Sequence, residues 1–203
     1  MKKQYITFSI IILTLALFYI WTSTQKQDQE VRNILSEANN KIGKMEIKRT
    51  DLEQSKDEDI LYNLTQNYYP DYDDENFDKL DLVTQTFVLI VNADGQINNG
   101  GVVQFIDNST GNLFHETIDA AKRIKNDSLF SILTKITTQY PSGQIPKNWE
   151  RRRNLWDELC EAHENDESWD NLWEELDNSY YDNSKTIYKN LIEYLKTNAK
   201  LID

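Results

Sequence analysis

The sequence predicts an all-α fold: an irregular multi-helix bundle preceded by one N-terminal transmembrane or signal-anchor helix and a helical stalk. Three observations support this prediction. The 203 residues include only 6 Gly and 3 Pro, too few for the many turns of a β-sandwich or barrel. Apolar side chains recur at helical spacing through most of the chain beyond residue 57. A long uncharged run stands close to the N-terminus.

The uncharged run extends for 17 residues from Tyr5 to Trp21 and follows Lys2 and Lys3. A helix of this length rises about 26 Å, just short of the ~30 Å hydrocarbon core of a bilayer. Because flanking lysines favour the cytoplasmic side, we expect a single-pass protein with a cytoplasmic N-terminus and the rest of the chain outside the cytoplasm. The alternative is a cleaved signal peptide and a secreted product, although the small residues that cleavage requires are poorly placed here.

Residues 25–56 predict a polar helical stalk between an N-terminal segment, residues 1–24, and a domain over residues 57–203. The spacing of apolar residues in the stalk is typical of a short helix that pairs with a parallel helix through a heptad seam. The apolar residues are Val31, Leu35, Ala38, Ile42 and Met45. A solvated stalk, or a helix that docks on its own domain, fits the same spacing. The domain is long enough to enclose one hydrophobic core.

The apolar pattern of the domain predicts a series of helices. A strongly apolar run over residues 80–91 predicts a buried helix, because no second strand-like run is present to pair with it. Asp94 and Gly95 predict a turn after this helix. The other predicted helices cover residues 57–69, 102–106, 113–125, 128–139, 149–163, 168–180 and 184–201.

The charge and the composition exclude several classes of function. Lys and Arg total 22 and Asp and Glu total 34, so the formal charge is −12. Direct binding to nucleic acid needs a basic face, which this charge balance argues against. The single cysteine, Cys160, excludes an internal disulfide framework and a Cys-rich zinc site. His115 and His163 are too few for a His-based metal site, so we expect neither a metal nor a cofactor.

One segment carries a resemblance to a known family. Residues 95–111 read GQINNGGVVQFIDNSTG, which resembles the signature of a family of small acidic bacterial proteins that includes a DNA-mimic protein. The signature is an Asn-Gly-Gly step, an aromatic-flanked Gln and an Asn-Ser-x-Gly element. The resemblance continues over residues 76–182, through Ala120 and Ala121, to a Leu-Asp-x-x-aromatic-Tyr element at 176–181. It implies an all-α fold. The residues that match the signature are Asn99, Gly100, Gly101, Gln104, Phe105, Asn108, Ser109 and Gly111.

The side chains of Asn99, Gln104 and Asn108 place carboxamides around Gly100 and Gly101. Carboxamides supply hydrogen-bond donors and acceptors without charge, so one interpretation is a small polar binding pocket at a helix start. The other interpretation, which we favour, is that the amides satisfy polar groups of the loop itself. In that case the two glycines permit a tight entry to the next helix.

Residues 154–184 hold eleven acidic residues and no Lys or Arg, interleaved with tryptophans and tyrosines. Such a run most often forms the solvated face of helices whose aromatic side chains pack in the core. A more specific interpretation is that carboxylates imitate DNA phosphates, with Glu161, Glu164, Asp170 and Glu174 as candidate binding residues. One straight helix of about 46 Å would carry about one charge per 4 Å, against one per ~1.7 Å in duplex DNA. On that estimate, mimicry requires a homodimer.

We therefore expect a membrane-tethered acidic domain that binds a basic or DNA-binding protein through its acidic face and catalyses no reaction. The alternative is a cell-envelope hydrolase with paired carboxylates, which must be held about 5–10 Å apart. His115 and Glu116 could form a base and its orienting partner, but no nucleophile motif accompanies them. The arginines at 151–153 form a basic spot. Arginines in such a position most often neutralise nearby acids, such as Asp157.

Overall fold

The computed structural model describes residues 56–67 and 77–201, together with residues 47, 50 and 52. All of these lie within one folded unit, residues 45–203. Every regular element in the described ranges is helical, which confirms the predicted all-α class. None of the helices described there is long and apolar enough to cross a membrane. The predicted helix over residues 5–21 lies outside the described residues, so the membrane segment stays a prediction.

The described part of the chain contains six α-helices. They are α1 (Asp57–Asn67), α2 (Leu82–Asp107), α3 (Phe114–Arg123), α4 (Asp127–Thr137), α5 (Trp149–Ala162) and α6 (Glu167–Asn198). Short 3₁₀ turns cover Ser109–Leu113, Pro141–Gly143 and Ala199–Leu201. α2 packs against α3 and α6, α3 packs against α4, and α4 packs against α6, so these four helices enclose the core. α1 contacts α6, and α5 contacts α2 and the 3₁₀ turn before α3.

Large aromatic side chains fill the centre of this core. Phe87, Phe105, Phe114 and Tyr180 are each at most 1% exposed. The rings of Phe105 and Phe114 stack with centroids 5.3 Å apart and join α2 to α3. Full burial of one such side chain contributes about 2–3 kcal/mol, so this layer is a main source of the stability of the bundle.

The end of the predicted stalk also contributes to the core. Ile47 and Leu52 are buried, at 0% and 2% exposure. This burial fits the alternative in which the segment before residue 57 docks on its own domain. The rest of the predicted stalk, including most of its apolar spacing, lies outside the described residues, and the predicted domain boundaries stay a prediction.

α2 is longer than the sequence predicts. The backbone stays helical through Gly95, so the predicted turn at Asp94 and Gly95 is wrong. The helix reaches the predicted helix at 102–106 across a kink at Gly100 and Gly101. Asp94 favours turns by local preference, but here its carboxylate accepts a hydrogen bond from Tyr180 of α6. Tertiary contacts of this kind override local propensity.

α6 is likewise one helix where the sequence predicts two, at 168–180 and 184–201. The helix continues through residues 181–183 because one buried stripe runs along its whole length. That stripe packs on α2 and α4. Its members are Trp169, Trp173, Leu176, Tyr180, Ile187, Leu191 and Leu195.

Four helices begin at a side-chain cap, which contributes about 1 kcal/mol at each start. Asp166, at the start of α6, accepts hydrogen bonds from two backbone N–H groups and from the Ser168 hydroxyl, the last at 2.6 Å. The Ser168 hydroxyl, then His163, then the backbone groups stabilise the ionised carboxylate and lower the pKa of Asp166 to about 2. The capping residues of α2, α4, α5 and α6 are Asp81, Asn126, Asn148 and Asp166.

Candidate functional site

The Asn-Gly-Gly step forms a kink inside α2. Gly100 and Gly101 have non-helical backbone angles within this helix, and Gly101 has φ 77° and ψ −179°. That combination is one that essentially only glycine adopts. A Cβ on Gly101 would also lie 2.4 Å from a carboxylate oxygen of Asp177. The backbone conformation and the available space therefore both require glycine at this position.

The acid that faces Gly101 holds the kink from the opposite helix. Asp177 of α6 accepts a hydrogen bond from the N–H of Val102 at 2.7 Å. One turn further on, the Tyr181 hydroxyl donates to the carbonyl of Ile97 at 2.9 Å. The two elements that carry the family resemblance, the Asn-Gly-Gly step and the element at 176–181, thus meet in space and stabilise each other.

A second clamp between α2 and α6 surrounds Asp94. The hydroxyl of Tyr180 donates to Oδ1 at 2.6 Å, and the hydroxyl of Tyr188 donates to Oδ2. Burial, followed by the interactions with Asp94, raises the pKa of both phenols above the usual range. Both tyrosines therefore stay neutral hydrogen-bond donors, and they fix the position of α6 on the domain.

Three carboxamides next to the kink bond to one another. Gln96 Oε1 accepts from Gln104 Nε2 at 3.0 Å and from Asn108 Nδ2 at 2.5 Å. Gln104 folds so closely against Gly100 that a Cβ there would lie 2.1 Å from its Oε1. The NH2 groups of both side chains thus donate to Gln96 rather than to the loop backbone, and Gln96, the acceptor that they share, is not among the predicted site residues. Asn99 is exposed, and no hydrogen bond among the described residues involves its side chain.

An open cleft of about 540 Å³ lies between α2 and α5. Four of the five predicted amide-site residues line it, whereas Gly101 is buried behind them at the kink. The opposite wall comes from α5, which the sequence analysis did not connect with the amides. The lining residues on α5 are Arg153, Trp156 and Asp157, and those on α2 and at its end are Asn99, Gly100, Val103, Gln104, Asp107 and Asn108.

Arg152 is buried, although the sequence predicts it on the surface. The interpretation of 151–153 as a basic surface spot is wrong for Arg152, which is 1% exposed. A Cβ on Gly111 would lie 2.3 Å from the carbonyl oxygen of Ile106 and 3.0 Å from Arg152 Nε, so glycine leaves the guanidinium its space. A buried charge is stable only when its donors are satisfied, and this one joins the end of α2 to the segments before α3 and α5. Its acceptors, at 2.6–3.0 Å, include the carbonyls of Ile106, Asn108, Pro146 and Lys147 and Oδ1 of Asn112.

Arg153 lies on the rim of the cleft. Its Nη1 contacts Asp107 Oδ2 at 3.3 Å, and its guanidinium lies 5.6 Å from the ring centroid of Trp149. The expected neutralisation of Asp157 by a nearby arginine is therefore wrong. Asp157 is exposed and has no ion pair among the residues that the structure describes.

α5 and α6 form a hairpin around a tryptophan cluster. The ring centroid of Trp156 lies 4.8 Å from that of Trp173 and 6.1 Å from that of Trp169. Near the connection, the ring of His163 stacks on Trp169 with centroids 4.2 Å apart. We call residues 154–184, which contain this cluster and the base-free run of acids, the acidic hairpin.

Nine of the eleven acids in the acidic hairpin are exposed. The two others have structural roles, Asp166 as the cap of α6 and Asp177 at the kink. Glu175 pairs with Lys135 at 2.9 Å. The four predicted binding residues are all exposed, and none of them forms an ion pair within the described ranges. These residues are Glu161, Glu164, Asp170 and Glu174.

The predicted base-and-orienter pair has other contacts. His115 Nε2 accepts a hydrogen bond from the N–H of Ile145 at 3.2 Å, and Glu116 pairs with Lys147. His115 lines a second open cleft of about 990 Å³, between residues 141–148 and α5. Within the described residues no group of His, Cys, Asp or Glu side chains is placed to hold a metal ion.

A comparison with protein-family models matches residues 78–198 to a family described as DMP19-like protein. The matched segment covers more than half of the chain and includes α2 to α6, the kink and the acidic hairpin. Comparisons with curated proteins and with solved structures give no significant match.

Proposed function

Because the chain belongs to the DMP19-like protein family, the DNA-mimic family that its motifs resemble, we propose that the acidic hairpin binds a DNA-binding protein in place of DNA. The observation that carries this proposal is the run of exposed carboxylates without a base over residues 154–184. A basic surface on the partner would neutralise these charges and guide the encounter. The domain then acts by binding and not by turnover.

The hairpin brings its charges closer together than one straight helix would. Between Trp156 and Trp173 each arm contributes seven helical residues, which rise about 10 Å. Five exposed carboxylates on these residues give about one charge per 2 Å of the hairpin, close to the one per ~1.7 Å of duplex DNA. Charge spacing therefore no longer requires a second copy of the chain, and the homodimer stays a prediction. The five acids are Asp157, Glu158, Glu161, Glu167 and Asp170, and Glu164 lies in the turn between the two arms.

The same charges weaken the free domain. Glu158 lies three residues from Glu161 on α5, and Asp170 lies four residues from Glu174 on α6, so like charges are neighbours on the helix surface. Each such pair costs a few tenths of a kcal/mol. A surface that served only solubility would need a net charge of about 2–8, which this chain exceeds. A basic partner that offsets the repulsion explains why the hairpin keeps so many acids.

We also propose that residues 5–21 tether the domain to a membrane and place it outside the cytoplasm. The support is the uncharged apolar run behind Lys2 and Lys3. The partner would then meet the domain on that side of the membrane. Signal cleavage and secretion is the alternative, and it leads to the same compartment.

Elution from immobilised duplex DNA tests the binding proposal. Proteins of the source cells are bound to the DNA resin and eluted with the full-length chain in detergent. We expect the chain to release a DNA-binding protein, identified by mass spectrometry. Release should fall at high salt, because exposed charges are screened within ~10 Å at 0.1 M. A variant with amides at Glu161, Glu164, Asp170 and Glu174 should release several-fold less of the same protein.

A matched control distinguishes an effect of the hairpin acids from an effect of net charge alone. Four exposed acids outside the hairpin, changed to amides together, alter the charge equally and should leave release unchanged. The hairpin variant should also melt at a higher temperature than the wild-type chain, because its repulsion is reduced. Equal release by both variants, or release that is indifferent to salt, would show that the hairpin is only a solvated surface. The control positions are Asp59, Asp78, Asp119 and Glu193.

A further inference from the structure

Several hydrogen-bond acceptors without partners line the cleft between α2 and α5. The side chain of Asn99, Oδ1 of Asn108 and Oε1 of Gln104 take part in no hydrogen bond among the described residues. Asp157, on the opposite wall, has no ion pair there. Among the lining residues, Arg153 is the single base. The lining therefore suits a ligand group that is positively charged and donates several hydrogen bonds.

An aromatic wall narrows the choice of ligand. Trp156 lines the cleft and is half-buried, and its contacts with Trp169 and Trp173 hold it in place. A guanidinium group is planar, is weakly hydrated and stacks on aromatic rings more often than an ammonium group does. It also carries five N–H donors, which can reach separate acceptors at once. The cleft therefore favours arginine over lysine.

Arg153 shows this mode of binding within the chain itself. It contacts a carboxylate oxygen of Asp107, which lines the cleft, at 3.3 Å, and it lies 5.6 Å from the ring centroid of Trp149, which does not line the cleft. The side chains of Arg153 and Asp107 are 50% and 36% exposed, so water screens the pair and the contact is readily exchanged. An arginine that enters from outside can take over Asp107, with Arg153 as its competitor.

We propose that this cleft receives an arginine side chain of the basic partner, and that Arg153 partly occupies the site in the free chain. The inference rests on the proposed function, because the partner is the DNA-binding protein that the acidic hairpin attracts. Asp157 belongs both to the cleft and to the hairpin, so a bound arginine sits at the edge of the charged surface. The bulk field of the acids attracts arginine and lysine alike, whereas the cleft distinguishes them.

Oligoarginine and oligolysine peptides of equal length test this specificity. Binding of each peptide to the full-length chain in detergent is measured by calorimetry. Oligoarginine should bind about three- to five-fold more tightly, the range expected for an exposed cation–π contact. Asp157→Asn should reduce this preference, because it removes the cleft carboxylate that has no ion pair among the described residues. Glu161→Gln, on the same helix but outside the cleft, should weaken both peptides equally and keep the preference.

A second pair of variants gives an effect of opposite sign. Arg153→Gln should tighten oligoarginine binding more than Arg151→Gln does, because both remove one charge from α5 but only the first frees the cleft. Equal binding of the two peptides, or equal effects of the two arginine variants, would overturn the arginine site. Salt-dependent binding without preference would refute this site and leave the acidic surface intact. Absence of any peptide binding, together with no release from DNA, would refute both proposals.

Discussion

Replacement of Gly101 by alanine tests whether the kink in α2 is a structural requirement. The backbone angles of Gly101, φ 77° and ψ −179°, cost about 1–3 kcal/mol for a residue with a Cβ. The new methyl group would lie 2.4 Å from a carboxylate oxygen of Asp177, so that side chain must withdraw. Its hydrogen bond to the N–H of Val102 would be lost, and hydrogen bonds to charged groups contribute about 1.5–3 kcal/mol. We expect Gly101→Ala to lower the free energy of unfolding by about 3–5 kcal/mol, out of the 5–15 kcal/mol typical of folded domains.

Urea unfolding, followed by circular dichroism and tryptophan fluorescence, measures this loss. Gly95→Ala is the matched control, because it makes the same exchange in the same helix at a position with no atom within 4 Å. Alanine favours helix by about 1 kcal/mol over glycine, so this control should be slightly stabilised. Asp177→Ala should cost much less in the Gly101→Ala background than in the wild-type chain, because the same hydrogen bond cannot be lost twice. A Gly101→Ala chain as stable as the wild type would refute the reasoning.

Three further predictions concern other parts of the chain. Arg152→Lys should lower the free energy of unfolding by about 3–5 kcal/mol, because an ammonium group cannot reach acceptors on three segments, and an unchanged urea midpoint would contradict this. The pKa of Asp166 is lowered from 3.8 to about 2, so its contribution to stability is present above pH ~4 and is lost as the pH falls through about 2. Asp166→Asn keeps the cap and should show a smaller loss of stability over that interval, measured as urea midpoints, and parallel curves would argue against the assignment. The chain should remain in the membrane fraction after a high-salt wash because of residues 5–21, and complete release, or a mature N-terminus near Thr24, would disprove the anchor.

Helical periodicity predicted the fold class and the positions of most helices, because the buried stripes are local in sequence. It could not predict that α2 continues through Gly95 as far as the kink, or that α6 runs unbroken. Asp94 and Gly95 favour a turn when their local preferences are considered alone, and the tyrosine that holds Asp94 lies 86 residues away. Contacts at that distance along the chain leave no trace in the spacing of apolar residues.

Charged residues with structural roles were the hardest to identify from sequence. Arg152 stands between two other arginines, and its acceptor at Ile106 is 46 residues distant, so nothing local distinguishes it from a surface base. Asp177 was counted with the acids of the exposed face, yet its partner at Val102 is 75 residues away. The family resemblance located the amide wall of the cleft. It could not supply the wall on α5, because the cleft exists only where two distant helices meet.

The long helix α6 carries four of its six exposed acids before residue 176, and its clamps to α2 lie from residue 177 onward. The clamped half anchors the charged half, so the carboxylates form a preorganised array. A disordered acidic tail of equal charge would lose conformational entropy on binding, and in the proposed complex this array would avoid most of that loss. If the proposed function is correct, substitutions among the exposed acids could alter the choice of partner without loosening the core. The same helical scaffold can therefore present many different patterns of surface charge.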